Sequence, residues 1–395
     1  MADRQCAVPR RHCRAACGAG AALGRPAADR VLISGYYGFG NLGDEAVLAG
    51  LLAELRARRP ENRITVLSAD PSASTALHGV EAWPRTPTAV WRALRRARLL
   101  ISGGGSLVQD VTSARSALYY LGVMAAASAR HVPVAVIGQG VGPVRRPWVR
   151  RLTRWTFDRA DAISLRDSES ARTLEAIGVS RPVHRGADLA FLMPPAPPAR
   201  VAELLARSGL DAAGARVGVV LRPWPGLLDV SSIANEVRQF AANRRAAVAV
   251  FLFDRVRDRA ASGAVASAAA GRLLEVATPQ DLLGLIGTMD LVVGVRLHAL
   301  VFAVSQAVPA VGLAYDPKVA AFAAEQGLAA LPVGAPAAAL HKALEEAWDR
   351  REALRAHLAA ARPTAQRAAA EAVGVAAGLL TVPRTREGRS SPNRA

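Results

Sequence analysis

From Val31 onward, apolar and polar positions fall into a repeating unit: a short aliphatic run, a glycine or polar turn, then apolar residues at helical spacing. "RVLISG" leads into a helical pattern that begins near Asp44, and "RITVLS", "ARLLISGGG", "VPVAVIGQG" and "AISLRD" open further units. Strands alternating with helices predict βαβ units and a parallel sheet covered by helices. The stretch "MPPAPPAR" (Met193–Arg200) then interrupts the pattern, because four prolines in five positions fit neither a continuing helix nor a continuing strand. The unit restarts with "RVGVVLRPW", "AVAVFLFD", "LLEVA", "DLVVGVRLHAL" and "PAVGLAYDPKV". The expected fold class is α/β, with two Rossmann-like doubly wound domains at residues 31–193 and 205–345, joined by a linker at 194–204. Residues 346–382 read as a helical segment packing back across both. Ligands of such sheets bind at the carboxyl ends of the strands, so the expected site is the interdomain cleft.

Composition changes this picture mainly at the ends. Residues 1–30 are rich in Ala, Gly and Arg without a period, and read as a disordered extension or a mis-assigned start; residues 383–395 read as a disordered tail. The formal charge is +18, of which residues 31–380 keep +11. A basic body suits anionic substrates or an anionic membrane surface. Aromatic residues make up 5% and are not interleaved with basic runs, so no nucleic acid is expected as a partner. Cys6, Cys13 and Cys17 all precede the body, which excludes a disulfide framework or a cysteine zinc site for the fold. The longest apolar stretch, Leu291 to Tyr315, is broken by Arg296, His298, Gln306 and Pro309, and reads as strand, helix, strand and not as a membrane span.

Candidate chemistry sits at the strand ends. "ISGYYGFGNLGDEA" has four glycines, but Asp44 and Glu45 stand where a phosphate loop needs Lys, so it is read as a tight turn with Asn41 or Asp44 as N-cap. Asn41 and Asp44 are also candidates for holding a hydroxyl-rich acceptor. "SGGGSLVQD" offers Gly103, Gly104, Gly105 and Ser106 as a backbone anion loop, with Gln109 and Asp110 beyond it; "GQGVGP" repeats the idea. Arg166 in "SLRDSES" and Arg222 in "LRPW" stand at strand ends. Arg296 and His298 in "GVRLHAL" stand where a strand turns into a helix. Lys318 in "AYDPKV" is one of two lysines beside 48 arginines, a sign that a compact ammonium is wanted there. Arg166, Arg222, Arg296 and Lys318 with His298 describe a small, multiply charged anion beside a proton donor. No acidic cluster or His/Cys pair suggests a metal.

These blocks, "SGYYGFGNLGDEA", "ISGGGSLVQDVT", "GQGVGP", "SLRDSES", "RLHALVFA" and "YDPKV", resemble in order the polysaccharide pyruvyl transferase family of the CsaB type, from about Val31 to Gly327. The resemblance implies a GT-B-like fold with the acceptor on the N-terminal side and the donor on the C-terminal side. It implies transfer of the enolpyruvyl group of phosphoenolpyruvate onto a cell-wall polysaccharide or lipid-linked saccharide. The typical product is a 4,6-ketal on N-acetylmannosamine of a polymer that anchors S-layer proteins. His298 becomes the expected catalytic acid, the four cations the donor site, and Asn41, Asp44, Gln109 and Asp110 the acceptor side, with no cofactor. A sugar-nucleotide glycosyltransferase is the alternative on the same fold. A cytosolic donor implies work in the cytoplasm, peripheral to the inner membrane face. The sequence departs from the family pattern at Leu189, where Pro is expected, and in residues 1–30.

Overall fold

The first half of the chain runs β1 (Arg30–Ser34), α1 (Leu42–Arg58), β2 (Arg63–Ser68), α2 (Pro71–His78), β3 (Glu81–Pro84), α3 (Pro87–Leu94), β4 (Ala97–Ser102), β5 (Gly105–Val108), α4 (Ala114–Ala129), β6 (Val134–Val141), α5 (Pro147–Phe157), β7 (Ala162–Leu165), α6 (Ser168–Ile177) and β8 (His184–Arg185). A 3₁₀ turn, Leu189–Leu192, follows. The second half runs α7 (Pro198–Ser208), β9 (Ala215–Val220), α8 (Val230–Arg244), β10 (Ala246–Phe251), α9 (Arg259–Ala268), β11 (Arg272–Leu274), α10 (Pro279–Ile286), β12 (Leu291–Gly294), α11 (Leu297–Ser305), β13 (Ala310–Ala314), α12 (Pro317–Glu325), β14 (Ala329–Pro332), α13 (Ala337–Asp349) and α14 (Arg351–Gly378). This computed structural model describes residues 30–381 apart from 112, 213 and 225–228; the sequence expectations for residues 1–29 and 382–395 lie outside the described residues.

Two parallel sheets result. The first has the order β3-β2-β1-β4-β6-β7-β8 with β5 paired to β6, and the second β11-β10-β9-β12-β13-β14. Each winds outward in both directions from its first strand, the doubly wound arrangement whose ligand crevice lies where the winding reverses. The central strands are aliphatic runs buried on both faces, as a helix-covered parallel sheet requires, and the edge strands β3, β8, β11 and β14 are more exposed. The "GQGVGP" stretch departs from its expected reading as a second anion loop at a strand end: β6 continues through it to Val141, every residue buried, because β5 adds a partner along that edge. The proline stretch also holds more structure than a linker. Pro198 opens α7 in the first helical turn, where its missing N–H costs nothing, so the chain crosses between sheets over residues 193–197.

The halves share one core. α1 is buried on nearly every side, including Val47, Leu48, Leu51 and Leu52, because it packs against the 3₁₀ turn, α10 and α14 as well as its own sheet. α14 runs back to the first half, where Gln366 donates to the Phe191 carbonyl at 3.3 Å.

Candidate active site

The strand ends of both sheets face one cleft. On the first wall, the turn after β1 is closed by its own side chains. Asn41 is the N-cap of α1: its Oδ1 accepts from the Gly43 N–H at 3.1 Å, and its Nδ2 donates to Asp44 Oδ2 at 2.5 Å. Glu45 turns away, accepting from the Gly38 N–H at 2.8 Å and meeting His78 Nε2 at 2.7 Å. Of the Asp-Glu pair, Glu45 therefore braces the glycine turn while Asp44 lines the cleft. The Leu42 N–H donates to the Phe253 carbonyl at 2.8 Å, which ties this wall to the end of β10.

His298, in the first turn of α11, reaches across. Gly43 is what admits it: a Cβ there would lie 2.4 Å from His298 Nδ1, so any other residue would push the ring out. Nε2 faces Asp188 Oδ2 at 3.5 Å. Asp188 caps the 3₁₀ turn by accepting from the Ala190 N–H and also accepts from Arg166 NH1 at 3.0 Å, so one carboxylate organises the histidine and the nearest cation.

At the other end of the cleft, Ser106 Oγ accepts from Arg166 NH2 at 2.9 Å and from Lys318 Nζ at 3.2 Å. Lys318 Nζ also donates to the Gly142 carbonyl at 2.5 Å, so a residue of the second half is anchored on the first. Asp316 caps α12 and Pro317 opens it, which aims Lys318 at this point. Gly140 leaves room for Arg166, since a Cβ there would lie 2.9 Å from NH2. Arg222 donates to the Tyr315 hydroxyl at 3.0 Å beside Trp224 and forms no ion pair with a carboxylate among the described residues.

Several expectations change on this geometry. Arg296, expected among the donor cations, does line the cleft, and its Nε and NH2 donate to Asp258 at 2.7 and 2.5 Å, which balances its charge and fixes the start of α11. The Gly103–Gly105 loop is not an open anion nest. The Gly103 N–H donates to the Ser34 carbonyl and Gly105 belongs to β5; their lack of side chains admits Tyr37 beneath Gly103 and Asp44 beside Gly105. Ser106 is the member of that loop that reaches the cations. Asp110 lies off the cleft lining: its carboxylate accepts the backbone N–H groups of Arg145 and Arg146 at 2.7–3.0 Å. Gln109 does line the cleft, together with Asn41, Asp44, Arg166, Arg222, His298 and Lys318. Sequence reasoning missed Asp188 and Asp258. Asp188 followed a strand pattern in "GADLAF" and carried the strand-end signal used for the others; Asp258 carried none, since it opens α9 one loop beyond its strand.

Electrostatics separate the buried charges. Burial pushes the Asp44 carboxyl up to about 6, with His298 opposing and Glu45 adding to the shift. Burial acts on Asp188 in the same sense, yet His298 and Arg166 outweigh it and hold Asp188 well below the usual carboxylate range. Lys318 is pushed down to about 8, first by burial and then by the Arg166 charge. Among the described residues no group of three His, Cys, Asp or Glu side chains is placed to hold a metal ion.

The cleft encloses about 660 Å³, a size suited to a small metabolite and part of a saccharide. Two parallel doubly wound domains around such a cleft define a GT-B-like fold, and solved structures agree. The UDP-GlcNAc 2-epimerase of Neisseria meningitidis superposes with a TM-score of 0.59 at 13% identity, covering 88% of this chain and 99% of that one. HepE of Anabaena, in complex with UDP and glucose, gives 0.59 at 13% identity over 89% and 98%. A glycosyltransferase of Rickettsia africae gives 0.58 at 9% identity over 89% and 98%. Residues 41–317 match the family model for polysaccharide pyruvyl transferase, and the chain belongs to that family. It is 25% identical over 207 residues to the amylovoran biosynthesis protein AmsJ of Erwinia amylovora, covering 42% of this chain. The matched part spans 49% of AmsJ, about half its length.

Proposed function

We propose that the protein transfers the enolpyruvyl group of phosphoenolpyruvate to a sugar of a cell-envelope polysaccharide precursor, leaving a pyruvate ketal. The observation that carries this reading is Lys318. Its ammonium is buried, is bonded to a hydroxyl and a carbonyl, and forms no ion pair with a carboxylate among the described residues. A buried cation without a counter-charge favours an anionic ligand that supplies one. Arg222, half-buried in the same cleft, likewise pairs with no carboxylate among the described residues, and Arg166, paired with Asp188 and Asp167, adds a third cation from which Ser106 already accepts.

The phosphate and carboxylate of the donor sit against Arg166, Arg222 and Lys318. His298, held by Asp188, delivers a proton to the methylene carbon, and C2 becomes electron-poor. A sugar hydroxyl bonds to C2 while Asp44 takes its proton, with Asn41 and Gln109 orienting the sugar. The C2–O bond to phosphate breaks, inorganic phosphate leaves, and a second hydroxyl of the same sugar closes the ketal, losing its own proton. Neighbouring hydroxyls are required on the acceptor, and a 4,6-ketal on N-acetylmannosamine of an S-layer-anchoring polymer is the first form to test.

Incubation with phosphoenolpyruvate and an N-acetylmannosamine acceptor, followed by mass analysis, should show addition of one pyruvyl unit and release of phosphate. Phosphoenolpyruvate should raise the melting temperature while UDP-sugars leave it unchanged. The opposite pattern would establish the sugar-nucleotide glycosyltransferase reading in its place.

A further inference from the structure

The surplus positive charge of this protein is concentrated in one stretch of the chain. Residues 85–157 contain twelve arginines and one acid, Asp110, giving +11, which equals the whole net charge of residues 31–380. Asp110 is buried beneath the backbone of Arg145 and Arg146 and does not shield the face outside it. This segment builds α3, α4 and α5, which pack side by side on one face of the first sheet.

The same face exposes large apolar groups. Trp91 on α3 is 50% exposed, Leu118 on α4 49%, and Trp148 and Trp155 on α5 44% and 42%. Trp148 and Trp155 are seven residues apart and so share one side of α5, with Arg151 between them and Arg154 beside them, both exposed. On α4, Arg115 is the only charged residue; the outward positions behind it are Leu118, Gly122 and Ala129. Tryptophan and arginine around an uncharged apolar stripe form the pattern of a surface lying in the headgroup region of a bilayer.

We infer that the α3–α4–α5 face docks on an anionic lipid bilayer. A second copy of the chain is a poor occupant, because two like faces of this charge repel. A nucleic acid would leave the α4 stripe without use, since Leu118, Gly122 and Ala129 offer phosphates no donor side chain. The face is also continuous with the cleft: Val111, Ser116 and Arg145, beside α4 and α5, line its mouth. Given the pyruvyl-transfer reading, a bilayer against this face brings a lipid-borne saccharide to Asn41 and Asp44 without leaving the membrane.

The test is flotation of the full chain with vesicles of phosphatidylcholine containing about one third phosphatidylglycerol, without phosphoenolpyruvate. Binding should appear on these vesicles, vanish on pure phosphatidylcholine, and weaken with salt. Trp148→Ala with Trp155→Ala, and separately Arg151→Glu with Arg154→Glu, should each lower partitioning about tenfold or more. Arg238→Glu, exposed on α8 of the second half, should leave it unchanged. Both double variants should stay folded and keep turnover of a soluble acceptor, the tryptophan pair at a lower melting temperature because each ring is more than half buried. Wild-type partitioning of either double variant would overturn the assignment, as would absence of binding to the anionic vesicles. Equal affinity for heparin and vesicles, unaffected by the tryptophan changes, would make the face a general polyanion surface and also overturn it. Pyruvyl transfer is read on the soluble acceptor alone, so either proposal can fail without the other.

Discussion

Behind the cleft, at the 3₁₀ turn, Asp188 lies between His298 and Arg166; on the side of α1 the cleft is lined by Asp44, which among the described residues accepts a side-chain hydrogen bond from Asn41. Both carboxylates are buried, and both feel His298. Their titration moves in opposite directions, up to about 6 for Asp44 and well below the carboxylate range for Asp188. Burial does not decide the outcome; the number and placement of partners does. The cations repeat the contrast, with Arg166 bonded to Asp188 and Lys318 left with neutral acceptors. The partnered pair organises the site, and the unpartnered ions remain available to accept a proton or an anion.

The largest effect should come from removing the partnered carboxylate. Asp188→Asn removes the carboxylate that Arg166 and His298 share; Arg166 keeps Asp167 at 3.3 Å, so the loss should be about 3 kcal/mol, the lower end for breaking a buried pair. Urea unfolding should show the loss at neutral pH. A carboxylate held low contributes stability above its unfolded pKa and loses it as pH falls, so wild type and variant should converge in acid. Equal stability of the two at pH 7 would mean that Asp188 and Asp44 do not differ as described.

His298→Gln tests the same network through rate. It keeps size and a hydrogen-bond donor, but delivers no proton at neutral pH. Turnover should fall about 10²–10⁴-fold with phosphoenolpyruvate binding largely retained. In the wild-type reaction run in heavy water, deuterium should appear in the product's methyl group. Its absence would sink the addition mechanism, whereas retained turnover of the variant would move the acid role elsewhere.

Lys318→Ala should weaken phosphoenolpyruvate binding by about 1.5–3 kcal/mol, the range for a charge-assisted bond. The ligand-free variant should unfold no more easily than wild type, because the ammonium it removes is buried and unbalanced. Calorimetric titration and thermal melts check the two halves, and a large loss of ligand-free stability would place Lys318 among the partnered ions.

The stability change at Asp44 should be modest and depend on pH in the opposite sense to that at Asp188. A carboxyl raised to about 6 binds more protons folded than unfolded between about pH 4 and 6, so its contribution falls as pH rises through that window. Asp44→Asn should therefore stabilise the protein above pH 6, by about 1–2 kcal/mol, while turnover drops. The wild-type rate should rise with pH through about 6 as Asp44 ionises. A variant less stable than wild type at pH 8 would contradict the comparison from its other side.

The alternation of aliphatic runs with helical spacing was enough to read two parallel α/β units, and the strand ends pointed to Arg166, Arg222, His298 and Lys318. Periodicity is local, and strand ends follow from it. What each side chain meets was not legible. Arg296 and Asp258 are 38 residues apart, Arg166 and Asp188 are 22, and Lys318 and Gly142 are 176, with no spacing in the chain to announce them. The glycines illustrate the division. Their presence signalled close approach, but only the packed structure showed that His298 approaches Gly43, in a stretch read as a tight turn, and that Arg166 approaches Gly140, where an anion had been the expected neighbour. The order of apolar and polar residues determines which segments become strands and helices because each segment must bury its own apolar side. Which charges are balanced, and which stay open for a ligand, depends on distances between segments that first meet in the folded protein.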